Sequence, residues 1–311
     1  MTTPYFQPSL HVPTAGKCVA IASLAATAPA AWLYAWATAP GPSGVNLLYA
    51  LGLSLWLALV AHCVAAFGKI RHPRWMGRAG AAIGLAAWYV HWAAWIAMSG
   101  HAVALPQGAA SSTLVTAAYL CLRPDLVLDA AAAIAGSAAG FLGAAALVVV
   151  WLVELCAFAL PPALAGARRA RAPFCEQTGS WADEVHVPAH FHYIQDPEAV
   201  RRRLERDPGA LTSILVPCAD DMPLIATVTI HRCRGDESFV TICNFGLMAP
   251  GEVPVREIGT LSEAMPDKVQ CYGQIDEPVV ELLRFSAPDV DALIRQWEQA
   301  AGALEPSVPA A

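Results

Sequence analysis

Long apolar runs dominate the first half of the chain. They occupy residues 18–37, 45–67, 79–99 and 141–160, and the only charged residue in them is Glu154. A helix needs about 20 apolar residues to cross about 30 Å of hydrocarbon. The pattern therefore predicts four transmembrane helices, the last of them ended by Pro161-Pro162.

The segment between the third and fourth runs predicts one further helix. Arg123-Pro124-Asp125 has the features of a helix start, with proline in the first turn and an acid where the helix dipole favours it. We expect this helix to run over residues 124–135 outside the cytoplasm. It is too short to span, so it is either interfacial or re-entrant.

The second half has the pattern of a small α+β domain. Val, Ile and Thr alternate over residues 224–233 and 238–245, which predicts a hairpin, and residues 279–285 predict a third strand. Asp196-Pro197-Glu198 indicates a helix over 197–206, and Ala287-Pro288-Asp289 indicates a last helix reaching about residue 301.

These patterns give a fold class and domain limits. We predict a membrane α-helical bundle of four transmembrane helices followed by a small α+β cytoplasmic domain. The predicted parts are an N-terminal tail (1–16), the transmembrane domain (17–166), the cytoplasmic domain (167–302) and a disordered tail (303–311).

Charge separates the two halves. Residues 1–166 contain six Lys and Arg and three Asp and Glu. Residues 167–311 contain thirteen Lys and Arg and twenty-two Asp and Glu, so their net charge is 13 − 22 = −9. Such an acidic domain argues against a nucleic-acid partner, since binding to phosphates needs Lys and Arg.

Basic residues cluster on one predicted side of the bundle. Cytoplasmic loops are enriched in Lys and Arg. The clusters are Lys69, Arg71, Arg74 and Arg78 after the second run, and Arg168, Arg169 and Arg171 after the fourth. We therefore predict a multi-pass protein of the bacterial inner membrane with both termini in the cytoplasm.

The first run has a second interpretation. Lys17 precedes it and Ala37-Thr38-Ala39 resembles a cleavage site, so it could instead be a secretory signal. Its length and the following Pro40 favour a transmembrane helix. Its outer aromatic residues, Trp32, Tyr34 and Trp36, are typical of the lipid headgroup level.

Three titratable residues lie inside the runs, and such residues are functional candidates because they are costly in lipid. His62 and Glu154 are both predicted near the cytoplasmic ends of their helices, about 8 and 9 Å in, and could pair, whereas His91 is about 20 Å in. The pair is either a proton or ion relay or a polar contact that fixes helix packing, or else Glu154 snorkels to the interface. A structural role is favoured over a relay.

A stripe of Trp88, Trp92 and Trp95 shares one face of the third run. Such a stripe could line a cofactor cleft, but helix packing or lipid contact is the commoner reason for it. We therefore expect no cofactor there.

Metal binding is an alternative in the second half. Cys175 and Cys233 each begin a C-x-x-C knuckle whose second cysteine is replaced, by Thr178 and by Asp236. Intact knuckles would form a tetrahedral zinc site. Here the candidate ligands are Cys175, Cys233 and Asp236, with a fourth from His186, His190, His192 or His231, so zinc is a minor alternative to no cofactor.

The nine cysteines also bear on redox state. Five lie in the predicted cytoplasmic domain, where thiols stay reduced, so we expect no structural disulfide. Cys233 and Cys243 in particular lie too far apart along the predicted hairpin to bridge.

The chain also resembles a family. The motifs are Tyr119-Leu120-Cys121-Leu122-Arg123-Pro124, Pro173-Phe174-Cys175-Glu176 and Ile230-His231-Arg232-Cys233. With four membrane helices, they resemble a group of uncharacterised bacterial membrane proteins with a degenerate zinc-ribbon-like cytoplasmic domain. The resemblance implies this architecture but no activity.

These observations favour an anchor over an enzyme. None of the common hydrolase, metalloprotease or nucleotide-binding motifs is present in the sequence. We expect an integral inner-membrane protein that anchors an interaction or sensory domain, with the lipid bilayer and a cytoplasmic protein as partners. The alternatives are a transport or proton-handling component using His62 and Glu154, and a metal-binding sensor.

Overall fold

The computed structural model describes residues 4–39, 45–99, 112–137, 140–187, 189–218, 222–233, 237–247, 272–286, 290–291, 293–295 and 297. The chain divides into two compact units. One is Pro8–Ala172, and the other combines Met1–Gln7 with Pro173–Ala311. The boundary after Ala172 lies slightly beyond the predicted one at residue 166.

The first unit is helical. Its helices are α1 (Thr14–Thr38), α2 (Asn46–Phe67), α3 (Pro73–Ser99), α4 (Thr113–Cys121), α5 (Pro124–Ser137) and α6 (Gly140–Arg169). Four segments are long and apolar enough to cross a membrane, namely α1, α2, α3 and the Val148–Arg169 part of α6. They overlap the predicted runs, although α3 begins at Pro73 rather than at residue 79 and the fourth segment covers residues 148–169 rather than 141–160.

The predicted helix at Pro124 is confirmed as α5, whereas α4 was missed. Arg123 donates from Nε to Asp125 Oδ1 over 2.9 Å and from Nη1 to the Tyr119 hydroxyl over 3.1 Å, which fixes the junction between the two helices. Helix α4 begins after Ser112, whose hydroxyl accepts from the Val115 N–H. Its nine residues are too few for apolar periodicity to stand out.

The prediction that the fourth span ends at Pro161-Pro162 is wrong, because both prolines lie inside α6. A proline removes the N–H that would bond the carbonyl four residues earlier. Pro161 thereby frees the carbonyl of Ala157, which accepts a hydrogen bond from the Ser54 hydroxyl of α2 over 2.8 Å. A neighbouring helix thus supplies the missing donor, as in other apolar bundles.

Close backbone packing supports the same part of α6. A Cβ built on Gly84 of α3 would lie 2.1 Å from the carbonyl oxygen of Phe158, and one on Gly80 would lie 2.3 Å from that of Pro162. Only glycine permits this approach. The small residues of α3 therefore pack within one chain, against the helix that the prolines weaken.

The second unit contains an antiparallel sheet. Its strands are β1 (Phe174–Cys175), β2 (Ser180–Trp181), β3 (Asp183–His186), β4 (Phe191–His192), β5 (Leu224–Arg232), β6 (Glu237–Leu247), β7 (Tyr272–Gln274) and β8 (Val280–Ser286). The hairpin β5–β6 is central, with β3 and β4 on the outer side of β5 and with β7 and β8 on the outer side of β6. Strands β1 and β2 form a separate pair.

The predicted hairpin, third strand and first helix are all confirmed. Helix α7 (Pro197–Arg206) is capped by Asp196, whose carboxylate accepts from the Ala199 N–H over 2.9 Å. A 3-10 turn (Pro208–Ala210) and the short helix α8 (Leu211–Ile214) follow it. Of the predicted last helix, residues 290–291, 293–295 and 297 are helical, while its ends and the predicted tail 303–311 lie outside the described residues.

One face of the sheet carries the main core. Among its fully buried members are Phe191, Leu204, Leu211 and Leu215. Asn244 is buried among the core residues, and its amide pairs with both the N–H and the carbonyl of Ile194. This pairing satisfies a buried amide that would otherwise be destabilising.

Residues 4–6 pair with the sheet and are not part of a free tail. Tyr5 bridges Leu283 of β8, the Phe6 N–H donates to the Leu282 carbonyl, and the Arg284 N–H donates to the Pro4 carbonyl. The Phe6 ring packs edge-on against Phe239 at 5.0 Å. A segment this short has too few residues for a strand pattern to show in the sequence.

Candidate functional site

Glu154 is bound by side chains from two other helices of the bundle. The Tyr34 hydroxyl of α1 donates to Oε1 over 2.8 Å, and the Trp92 indole N–H of α3 donates to Oε2 over 3.1 Å. Both donors are neutral. Of the described residues, no lysine or arginine is paired with this carboxylate.

His91 completes the site. Its side chain is buried, and Nδ1 lies 4.0 Å from Glu154 Oε2, beyond hydrogen-bonding distance. Within the described structure Nδ1 has no hydrogen-bond partner. The imidazole packs edge-on against the Tyr34 ring at 4.6 Å and the Trp92 ring at 5.2 Å. A small movement would bring the two titratable groups into direct contact.

The predicted pairing of Glu154 with His62 is not formed. Because α6 continues to Arg169, Glu154 lies fifteen residues from that end, about 22 Å at the helical rise. Ser54 of α2 is level with Ala157, and His62 is eight residues further along α2, about 12 Å towards the basic end. His62 lies within electrostatic reach of Arg169 instead.

The missed members of the site are Tyr34 and Trp92. Tyr34 was expected at the headgroup level with its neighbours, yet it is only 8% exposed, while Trp36 is 64% exposed. Trp92 packs edge-on against Trp95 at 5.4 Å and Trp151 at 5.3 Å, so the tryptophan stripe does serve packing. Trp92 also donates to Glu154, and nothing in the sequence predicts this bond except the position of Trp92 next to His91.

An apolar groove between α1 and α2 leads to the site. It has a volume of about 620 Å³, and its walls include Leu33, Trp36, Tyr49 and Trp56. Tyr34 also lines the groove, and its hydroxyl is the one bound to Glu154. The groove and the carboxylate are therefore separated by a single side chain.

The basic residues lie at one end of the bundle. Arg74 and Arg78 are in the first turns of α3, and Arg168 and Arg169 are in the last turn of α6. The helices run antiparallel, because Gly77 approaches Ala163 and Ala167 while Gly84 approaches Phe158.

The other predicted basic residues lie at the ends or junctions of these helices. Lys69 and Arg71 are in the α2–α3 connection, where the Arg71 N–H donates to the His11 carbonyl and the residue is buried. Arg171 follows α6, in the turn that leads towards β1. All of the predicted topology-determining residues therefore lie at one end of the bundle.

In the second unit the structure corrects the expectation that there is no disulfide. Cys175 and Cys233 are bonded, with their Cα atoms 5.7 Å apart, and they form a small buried cluster with Phe239. They are 58 residues apart in sequence, so only the tertiary structure reveals their proximity. A cysteine in a disulfide has no free thiolate for a metal ion.

Of the other predicted metal ligands, those that lie among the described residues are not part of a metal-binding group. Asp236 lies outside the described residues, and among those described no group of three His, Cys, Asp or Glu is arranged to hold a metal ion. His231 of β5 is directly opposite Glu184 of β3. Burial lowers the pKa of the His231 imidazole, although the Glu184 carboxylate acts in the opposite direction.

Comparison with known proteins adds no relative. No family model, no curated protein and no solved structure matches this chain.

Proposed function

We propose that this protein is a multi-pass protein of the bacterial inner membrane that anchors an α+β interaction or sensory domain on the cytoplasmic side. The observation that carries the proposal is the pairing of residues 4–6 with β8. The chain leaves the sheet-containing unit after Gln7 and returns to it at Pro173. A membrane domain inserted at that point needs an even number of crossings, which four helices satisfy.

The charge distribution supports the cytoplasmic side. The basic residues at the ends of α3 and α6 share one end of the bundle, and Lys and Arg are retained on the cytoplasmic face of a membrane. The anchored domain is acidic, which favours a protein partner over nucleic acid.

Fusions of alkaline phosphatase and of green fluorescent protein test this topology. We expect green fluorescent protein fused after residue 286 to fluoresce. Alkaline phosphatase fused at the same position should be inactive, because phosphatase folds only outside the cytoplasm. A fusion in the connection before Thr113 should give the opposite result. Phosphatase activity at the C-terminal fusion would contradict the proposal.

The geometry of Glu154 favours a second candidate, a proton-handling membrane component. It would use Glu154 with His91 rather than with His62, since His91 Nδ1 is 4.0 Å from the carboxylate. In proteoliposomes under a pH gradient, Glu154→Gln and His91→Gln should abolish proton flux, whereas His62→Gln should retain it. Absence of flux in the wild type, or equal loss in His62→Gln, would remove this candidate.

A further inference from the structure

The groove between α1 and α2 has the size and lining of a ligand site. Its volume of about 620 Å³ lies within the range of small-molecule pockets. Aromatic side chains on its walls, including Trp36, Tyr49 and Trp56, provide ring faces, and Leu33 and Leu53 provide aliphatic surface. The lining suits a ligand with a bulky apolar body.

The charge near the groove restricts the ligand further. Glu154 is the only carboxylate in the four segments able to span a membrane. Its bonds come from the neutral donors Tyr34 and Trp92, and the one basic group beside it, His91, has an Nδ1 without a hydrogen-bond partner in the described structure. A lipid tail in the groove would leave this carboxylate without a countercharge.

We propose that the groove binds a lipophilic organic cation, with its apolar body between α1 and α2 and its charge against Tyr34, in front of Glu154. Tyr34 lines the groove, and an aromatic ring attracts a cation electrostatically. The Glu154 carboxylate, which accepts a hydrogen bond from the Tyr34 hydroxyl, supplies the opposite charge. Its attraction for a cation is strong where water is excluded. This inference goes beyond the anchoring function and needs neither its topology nor proton movement.

Gly52 offers a way to block the groove without disturbing the helix. It lines the groove on α2, and a Cβ built there meets no atom within 4 Å. Leucine is a better helix former than glycine. Gly52→Leu should therefore fill the groove and keep the fold, and Gly52→Ala is the matched control because its methyl group leaves most of the space open.

The test is binding of tetraphenylphosphonium to the purified full-length protein in detergent, measured by equilibrium dialysis. We expect saturable binding of about one ion per chain. Gly52→Leu and Glu154→Gln should each weaken binding by about tenfold or more. The leucine fills the groove, and the glutamine removes the only carboxylate in the four segments able to span a membrane. Gly52→Ala and His62→Gln should bind as the wild type does.

Protonation gives an independent readout. A proton on Glu154 neutralises the charge that attracts the cation, so binding should weaken as the pH falls, and this dependence should disappear in Glu154→Gln. Elution profile and thermal unfolding show that each variant is folded. The proposal is overturned by absence of saturable binding to the wild type, or by binding that Gly52→Leu or Glu154→Gln leaves unchanged.

Discussion

At the scale of single residues, the contacts of a polar side chain in this protein cannot be inferred from its neighbours in the sequence. Tyr34 and Trp36 are two positions apart, yet one is buried against Glu154 and the other is largely exposed. His231 and His186 are a similar case. They belong to neighbouring strands, but His231 is the more buried of the two, and burial lowers the pKa of its imidazole.

The shift at His231 predicts a pH dependence of stability. Its pKa in the folded protein lies below the ordinary value of about 6.5, so the unfolded chain binds more protons as the pH falls through that value. The second unit should therefore lose stability from about pH 7 to pH 5. His231→Gln should flatten this part of the profile, measured by chemical unfolding at each pH.

His186→Gln is the matched control, since it removes an exposed imidazole from the same face of the sheet. It should leave most of the acid sensitivity in place. An unchanged profile in His231→Gln would contradict the prediction.

At the scale of elements, the longest helix depends on its neighbours to continue. Pro161 and Pro162 predict an end, and an isolated helix would break there. The Ser54 hydroxyl donates to the carbonyl of Ala157 just before the prolines. The backbone of α3 at Gly80 and Gly84 packs closely against the carbonyls of Pro162 and Phe158. This continuation also moves Glu154 away from the basic end of the bundle and up to the level of His91.

A double-mutant cycle tests the support from Ser54. Ser54→Ala should lower the free energy of unfolding by about 0.6–1.7 kcal/mol, the range for hydrogen bonds between helices in membranes. In a Pro161→Ala background the cost should shrink towards zero, because the introduced alanine restores the N–H that bonds the Ala157 carbonyl. Unfolding of the purified protein in mixed micelles gives both values.

Ser23→Ala serves as the control for the cycle. Ser23 is also a buried helical serine, but its hydroxyl donates to Ala20 of its own helix. The free energy of unfolding lost in Ser23→Ala should not depend on whether residue 161 is proline or alanine. An equal cost of Ser54→Ala in both backgrounds would show that the hydroxyl does not replace the missing donor.

At the scale of the whole molecule, the redox state of one cysteine pair reports on the side of the membrane. The structure joins Cys175 and Cys233 by a disulfide, whereas the proposed topology puts both in the cytoplasm, where such a bond is reduced in growing cells. We expect both to react with a maleimide mass tag in growing cells after acid quenching, and to be protected after oxidation. Cys243→Ser, which removes a free thiol, should lower the tag count by one and leave this behaviour unchanged.

Oxidation should also stabilise the second unit. Closing the loop between two cysteines that are 58 positions apart in sequence contributes about 4 kcal/mol in the chain-entropy model. Unfolding with and without reductant measures the difference, which Cys175→Ser should abolish. A pair that is already fully oxidised in untreated cells would instead place the domain in an oxidising compartment.

The sequence by itself determined the two-part architecture and most of its elements. Four apolar runs, the cap at Asp196 and the alternation of β5 and β6 are local patterns, and each one specifies its element through burial or backbone geometry. It also identified Glu154 and His91 as unusual, since charges and imidazoles are costly in apolar helices.

Only the tertiary structure decided which of these residues meet. The helix through Pro161-Pro162, the bond from Tyr34 to Glu154, the pairing of Tyr5 with β8 and the proximity of Cys175 to Cys233 all join positions distant in sequence. Periodicity describes one element at a time, whereas these contacts depend on how separate elements pack, and packing also overrides the local preference of proline to end a helix.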